Sequence, residues 1–337
     1  EQHRETILNG SATQKLIDFK LSRNGKSVNF RVGLVTPNSS EKVPVIIKND
    51  TFLFSLEEIL NAKKREKYKR QKRDETNQFS IEKAVENEYA LLKFMRNDVV
   101  ADHKDNKDTG IYPLFPEYDW GNTAAWAWAY SIIIDWLEEQ SFCDTNKLIV
   151  TGHSRGGKTA LCAGIYDERI ALTIPNSSGT GGTGSWLFFV QNAEQQTLNV
   201  QINRNPYWWC SQLLQFKDKP ETLPFDAHFN KMLIAPRALL NTHSKDDLWA
   251  NPYGTYLTHL AAKPIFEAYD VPENIALHWR EGEHDQARED WDALFDYSQK
   301  LFFEKPIQRT YNQNPNTNYT YDSLLSPYFK ETAYFEK

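Results

Sequence analysis

At 337 residues the chain is long enough for one large α/β domain or two ordinary ones. A hydrophobic fraction of 40%, with 10 Trp, 16 Tyr and 19 Phe, supplies a sizeable core, and the net charge of -6 argues against nucleic acid as the main partner. No apolar run approaches the roughly 20 residues that span a bilayer, and Cys143, Cys162 and Cys210 form neither a metal pattern nor a disulfide framework, so neither metal nor cofactor is expected.

In chain order, residues 1–40 read as an irregular or hairpin lead-in. Within it Val28, Phe30, Val32 and Leu34 alternate with Asn29, Arg31 and Gly33, the period of a half-buried strand. Val43 to Ile47 is a continuous apolar run, typical of a strand buried on both faces. The basic stretch from Lys63 to Arg73 reads as a solvated face rather than an anion site. Tyr89 to Met95 is the next buried strand, followed by a polar loop to about Trp120. Asn122 to Glu139 predicts a helix with Trp126, Trp128, Ile132, Ile133 and Trp136 in its apolar positions.

Leu148 to Val150 then reads as a buried strand, Gly152-His153-Ser154-Arg155-Gly156 as a G-x-S-x-G turn, and Thr159 onward as a helix. That context identifies a nucleophile elbow, which holds the Ser154 hydroxyl clear of the sheet. His153 is expected beneath the elbow, and Cys162 as a small buried hydrophobe. The strand Ile170 to Pro175 leads into a Gly-rich loop, 176–184, that lacks the Gly-Lys-Ser/Thr ending of a nucleotide site. A cap-like insertion at about 185–225 centres on Tyr207, Trp208 and Trp209. Arg237 to Thr242 is a strand, a helix follows at about 253–269, and Ile275 to His278 is the last strand. Trp291 to Phe303 is a closing amphipathic helix, and the polar tail 306–337 is expected to wrap the surface.

This alternation implies one α/β-hydrolase domain over 1–337, with a mainly parallel central sheet and helices on both faces in a three-layer sandwich. Functional residues belong on loops at the carboxyl ends of its strands. A serine hydroxyl needs a base, and the base needs an orienting carboxylate, in the chain order nucleophile, acid, histidine. Ser154 is followed by Asp246 and Asp247 after the penultimate strand, then by His284 after the last. Asp247 is the expected acid with Asp246 its rival, since adjacent side chains on an extended segment point apart. His284 is the expected base, and the strand position of His278 suits a structural role. Arg155 offers its backbone amide to an oxyanion, while its guanidinium either adds charge there or pairs with a neighbouring helix.

At these residues the chain resembles the bacterial glucuronoyl esterases of carbohydrate esterase family fifteen. The matching motifs are Trp120 to Trp128, Gly152 to Leu161, Asn176 to Gly182, Ala235 to Arg237, Asp247 to Pro252 and Gly282 to His284 with Asp290 and Trp291. The resemblance implies cleavage of esters between glucuronic acid and an alcohol without a metal. It also implies that Arg155 contributes to the oxyanion site, that Lys158 hydrogen-bonds sugar hydroxyls and that Trp249 packs on the sugar. Many members carry their acid where Ser177 stands, which leaves Asp247 for that role. Two departures touch the sugar site: an apolar Thr183 to Val190 segment, and Gln195 or Gln196 where a substrate-contacting Glu is expected. The expected protein is a secreted or periplasmic monomer acting on a glycan or uronate ester, with an acetyl xylan esterase or an inactive carbohydrate-binding relative as alternatives.

Overall fold

A computed structural model describes residues 3–50, 67–190 and 193–315. Its strands are β1 (His3–Ile7), β2 (Ala12–Arg23), β3 (Lys26–Pro37), β4 (Val43–Asp50), β5 (Ala90–Met95), β6 (Cys143–His153), β7 (Leu172–Asn176), β8 (Ala238–Ser244) and β9 (Ile275–Arg280). They form one sheet in the order β1-β2-β3-β5-β4-β6-β7-β8-β9. The first four of these neighbours pair antiparallel, and every pairing from β5 to β9 is parallel. The lead-in is thus one short and two long strands that extend the sheet, with Val28, Phe30, Val32 and Leu34 of β3 on its buried face.

Helices cover both faces because the central strands are apolar on both. Val45, Ile47, Leu148 and Val150 face α2 (Asn122–Leu137) and α3 (Arg155–Tyr166). Their neighbours Ile46 and Ile149 face the other way, toward α1 (Lys67–Glu86) and α6 (Arg288–Phe303) through Ile81, Ala84, Trp291 and Leu294. The helix α5 (Pro252–Ala268) packs through Ala262 and Phe266 against Leu239, Ile275 and Leu161 of α3. Part of the basic stretch, 63–66, lies outside the described residues, as does the tail beyond 315. The described part of the tail covers the free edge of β9. Asn312 exchanges hydrogen bonds with Leu277, and the Trp279 indole donates to the Gln313 carbonyl, all at 2.8 Å. Edge strands invite unwanted pairing unless covered in this way. No helix of the described residues is long and apolar enough to cross a membrane. Cys162 is half-buried against the α2–α3 side of the core.

Between β7 and β8 the chain leaves the sheet and returns through a short helix, α4 (Leu198–Arg204), and several single turns. The apolar segment after the Gly-rich loop has a packing role there. Trp186 joins Leu198, Ile202 and Leu223 in a small core of this insertion, while Phe188 and Val190 pack on Tyr253 and Leu257 of α5. Asp226 closes the arrangement by accepting from the Ser185 hydroxyl at 2.5 Å and the Trp186 amide at 2.6 Å.

Candidate active site

Ser154 sits between β6 and α3 with φ 56° and ψ -117°. Such a backbone is costly for a residue with a side chain and persists only where its surroundings impose it. They do so here. The Ser154 amide donates to the Asn176 carbonyl at 2.9 Å, and Asn49, at the end of β4, donates through Nδ2 to the Gly156 carbonyl at 2.8 Å. The Tyr130 hydroxyl donates to the Thr151 carbonyl at 2.7 Å. A side chain at Gly152 would come within 2.4 Å of the Gly156 carbonyl, so the flanking glycines are a steric requirement of the turn.

His284 and Asp247 reach the serine from the loops after β9 and β8. His284 Nε2 lies 2.8 Å from Ser154 Oγ, and its Nδ1 lies 2.5 Å from Asp247 Oδ2. With Nδ1–H donating to the Asp247 carboxylate, Nε2 is free to accept from the serine. Burial acts to raise the Asp247 pKa. It is outweighed by the hydrogen bond from His284, the nearby charges of His243 and His284 and the Ala250 amide, which hold the carboxyl below its usual value. Asp246 does another job: its Oδ2 accepts from the Gly282 amide at 2.9 Å and ties the two loops together. His278 stays within β9 beside Tyr311, ring centroids 5.8 Å apart. His153 is half-buried beside the base rather than simply beneath the elbow, its ring centroid 4.6 Å from that of His284 and its Nδ1 2.6 Å from Asn176 Oδ1. Burial, then the charge of His284, pushes its pKa down to about 3 and keeps it neutral.

The His284 loop is shaped by a residue the sequence reading did not single out. Arg280 ends β9 with its side chain almost wholly buried. It donates to Asp290 at 2.7 Å, pairs with Asp285 at 2.6 Å and donates to the carbonyls of Glu281, Glu283 and Asp285. One guanidinium therefore folds the whole turn that carries the histidine. Asp290→Ala leaves that cation buried without its inner partner, a loss on the scale of about 3–5 kcal/mol. Guanidinium unfolding should show a lower midpoint, and a wild-type midpoint would remove Arg280 from this role.

Arg155 meets a loop carboxylate rather than a helix. It pairs with Asp102, from the polar loop after β5, and lies over the Trp208 ring with its guanidinium carbon 4.9 Å from the centroid. Asp102 also accepts from the Trp208 indole at 2.8 Å and the Tyr207 hydroxyl at 3.2 Å, joining the cap to the site. Among the described residues nothing accepts from the Arg155 backbone N–H, an orphan donor at the start of α3.

Ser154, Arg155, Lys158, Gln196, Trp249 and His284 all line one cleft of about 400 Å³, within the usual range for small-molecule sites. Lys158 is buried and donates to the Ser178 carbonyl and, at 3.1 Å, to Gln196 Oε1. Burial, then the Arg155 charge, pushes its pKa down to about 7 against the pull of Asp247. Of the two glutamines, Gln196 faces the cleft, whereas Gln195 braces the chain at the Val190 carbonyl, 2.6 Å away. Trp249 is in place, but Arg204 lies over its ring at 5.0 Å. Ser177 is buried, and its hydroxyl meets no partner among the described residues.

A family model described as "Glucuronyl esterase, fungi" matches residues 19–270, more than half of the chain. The chain belongs to the glucuronoyl esterase family. Two curated relatives illustrate the range. A carbohydrate esterase from an unknown prokaryotic organism is 32% identical over 243 residues, covering 65% of this chain and 55% of that protein. The 4-O-methyl-glucuronoyl methylesterase of Phanerochaete carnosa is 38% identical over 190 residues, covering 53% and 46%. The chain spans about half the length of the curated relatives it matches. Among solved glucuronoyl esterases, that of Caldicellulosiruptor kristjansonii is 27% identical with a TM-score of 0.75, covering 97% of this chain and 84% of that one. A promiscuous esterase of the same family from a marine bacterial metagenome is 26% identical with a TM-score of 0.74, covering 88% and 83%. This membership agrees with the α/β-hydrolase sheet described above.

Proposed function

We propose that this glucuronoyl esterase family member is a serine carboxylester hydrolase that cleaves uronoyl esters of glycans through an acyl-enzyme. The observation that carries the reading is the unbroken hydrogen-bonded line from Asp247 through His284 to Ser154, opening on a cleft with Lys158 and Trp249. His284 Nε2 takes the hydroxyl proton as Ser154 Oγ attacks the ester carbonyl. Asp247 stabilises the imidazolium formed. The Arg155 backbone amide and guanidinium stand at the elbow, where they stabilise the charge developing on the carbonyl oxygen. Collapse of the tetrahedral adduct breaks the ester C–O bond, and His284 returns the proton to the departing alcohol. Water, deprotonated by the same nitrogen, then attacks the uronoyl-Ser154 ester and releases the free uronate. Lys158 donates to sugar hydroxyls, and Trp249, with Arg204 over its ring, walls the cleft beside the sugar. Because such esters occur in cell-wall polymers, the reading also makes the protein secreted or periplasmic.

The relatives named 4-O-methyl-glucuronoyl methylesterases support this substrate class. Methyl glucuronate and an acetylated xylo-oligosaccharide, assayed side by side, test it. The uronate ester should be cleaved with the higher kcat/KM. Preference for the acetyl ester would replace the proposed class, and turnover of neither would leave a binding protein.

A further inference from the structure

The charge of the cleft does not suit a neutral sugar ester. The chain as a whole carries a net charge of -6, yet Arg155, Lys158 and Arg204 line this cleft, and among the described residues no Asp or Glu does. Arg155 is neutralised by Asp102. Lys158 has neutral partners only in its bonds to the Ser178 carbonyl and Gln196, whose Oε1 also accepts from Gln201. Arg204 reaches Glu194 at 3.3 Å, but that pair is loose, with side chains 57% and 77% exposed, and such pairs are weak. Its guanidinium is instead held over Trp249, at the rim of the cleft that Ser154 opens on. An alkyl uronate carries no charge at the reacting carboxyl, so the Arg204 cation has nothing in it to neutralise.

We propose that the preferred substrate is a uronoyl ester set in an acidic glycan, with a free carboxylate or sulfate on the neighbouring sugar seated against Arg204. The proposal rests on the ester hydrolase reading above and narrows its substrate. Arg204 supplies a planar fork of N–H donors that matches either oxyanion, and the buried Lys158 amine adds a hydrogen-bond donor within the same cleft. Stacking on Trp249 holds the fork in place without using its donors.

Binding to the Ser154→Ala protein tests this independently of turnover. Three methyl-glucuronate disaccharides are compared by calorimetry, with xylose, glucuronate or sulfated xylose as the neighbouring sugar. At low salt both acidic ligands should bind about tenfold more tightly than the neutral one, with the preference shrinking as salt screens the contact. The tighter of the two acidic ligands identifies the anion. Adding Arg204→Gln should bring the acidic-to-neutral ratio to within about twofold, and Arg204→Glu should invert it. Lys219→Gln, which removes an exposed charge in the chain beyond the cleft-lining residues, should keep the ratio. A ratio near one in the parent, a ratio that survives Arg204→Gln, or binding of none of the three overturns the proposal. Turnover of the neutral ester by wild type separately decides the hydrolase reading, so the two can fail apart.

Discussion

Ser154→Ala is expected to lower kcat on methyl glucuronate by at least about a thousandfold, the scale for removing a nucleophile that acts as a unit with its base. The geometry behind the figure is specific. Ser154 Oγ has His284 Nε2 at 2.8 Å, and the elbow holds the serine at φ 56° and ψ -117°. Alanine removes the atom that becomes acylated while leaving Asn49, Tyr130 and the glycines to keep the turn folded. Residual hydrolysis should therefore reflect only binding and the donors at Arg155. Single-turnover assays that follow released methanol measure the loss. Wild-type rates in the alanine protein would transfer the chemistry to another group and dismantle the mechanism.

The second large effect belongs to Asp247. Asp247→Asn places an amide against His284 Nδ1, where the carboxylate accepts at 2.5 Å. If the amide nitrogen donates to Nδ1, the imidazole proton moves to Nε2, and that nitrogen can no longer take the serine proton. The expected fall in kcat is on the order of 10³–10⁴, the scale for losing the carboxylate of a Ser-His-Asp set. Asp246→Asn is the matched comparison. Its amide oxygen can still accept from the Gly282 amide, so the loss should stay within about tenfold. Equal losses in the two proteins would mean that Asp247 serves the loops rather than the histidine.

Much of the frame was legible because it follows local rules. Alternation at Val28, Phe30, Val32 and Leu34 forecast a half-buried strand, and that is β3. The unbroken run from Val43 to Ile47 forecast a strand covered on both sides, and Ile46 does face away from Val45 and Ile47. The steric demands of a strand–turn–helix junction similarly marked Ser154. The two departures at the sugar site were legible as departures, but not their consequences. The apolar segment after the Gly-rich loop proved to be core of the cap, and only the turn geometry told Gln196 from Gln195.

By itself, then, the sequence determined most of the order of strands and helices from β3 onward, though not β1, β2 or α1, and the set of groups able to carry the chemistry, because periodicity, turn sterics and chain order are properties of neighbouring residues. Tertiary structure decided the partners. His284 meets a serine 130 residues away, and Arg155 meets Asp102 across 53. Arg280 gathers a turn around one buried cation, and Arg204 lies on Trp249 rather than leaving its face open. Each of these depends on distance and direction across the fold, and an interaction that falls off within a few ångströms leaves no trace in the spacing of letters along a chain.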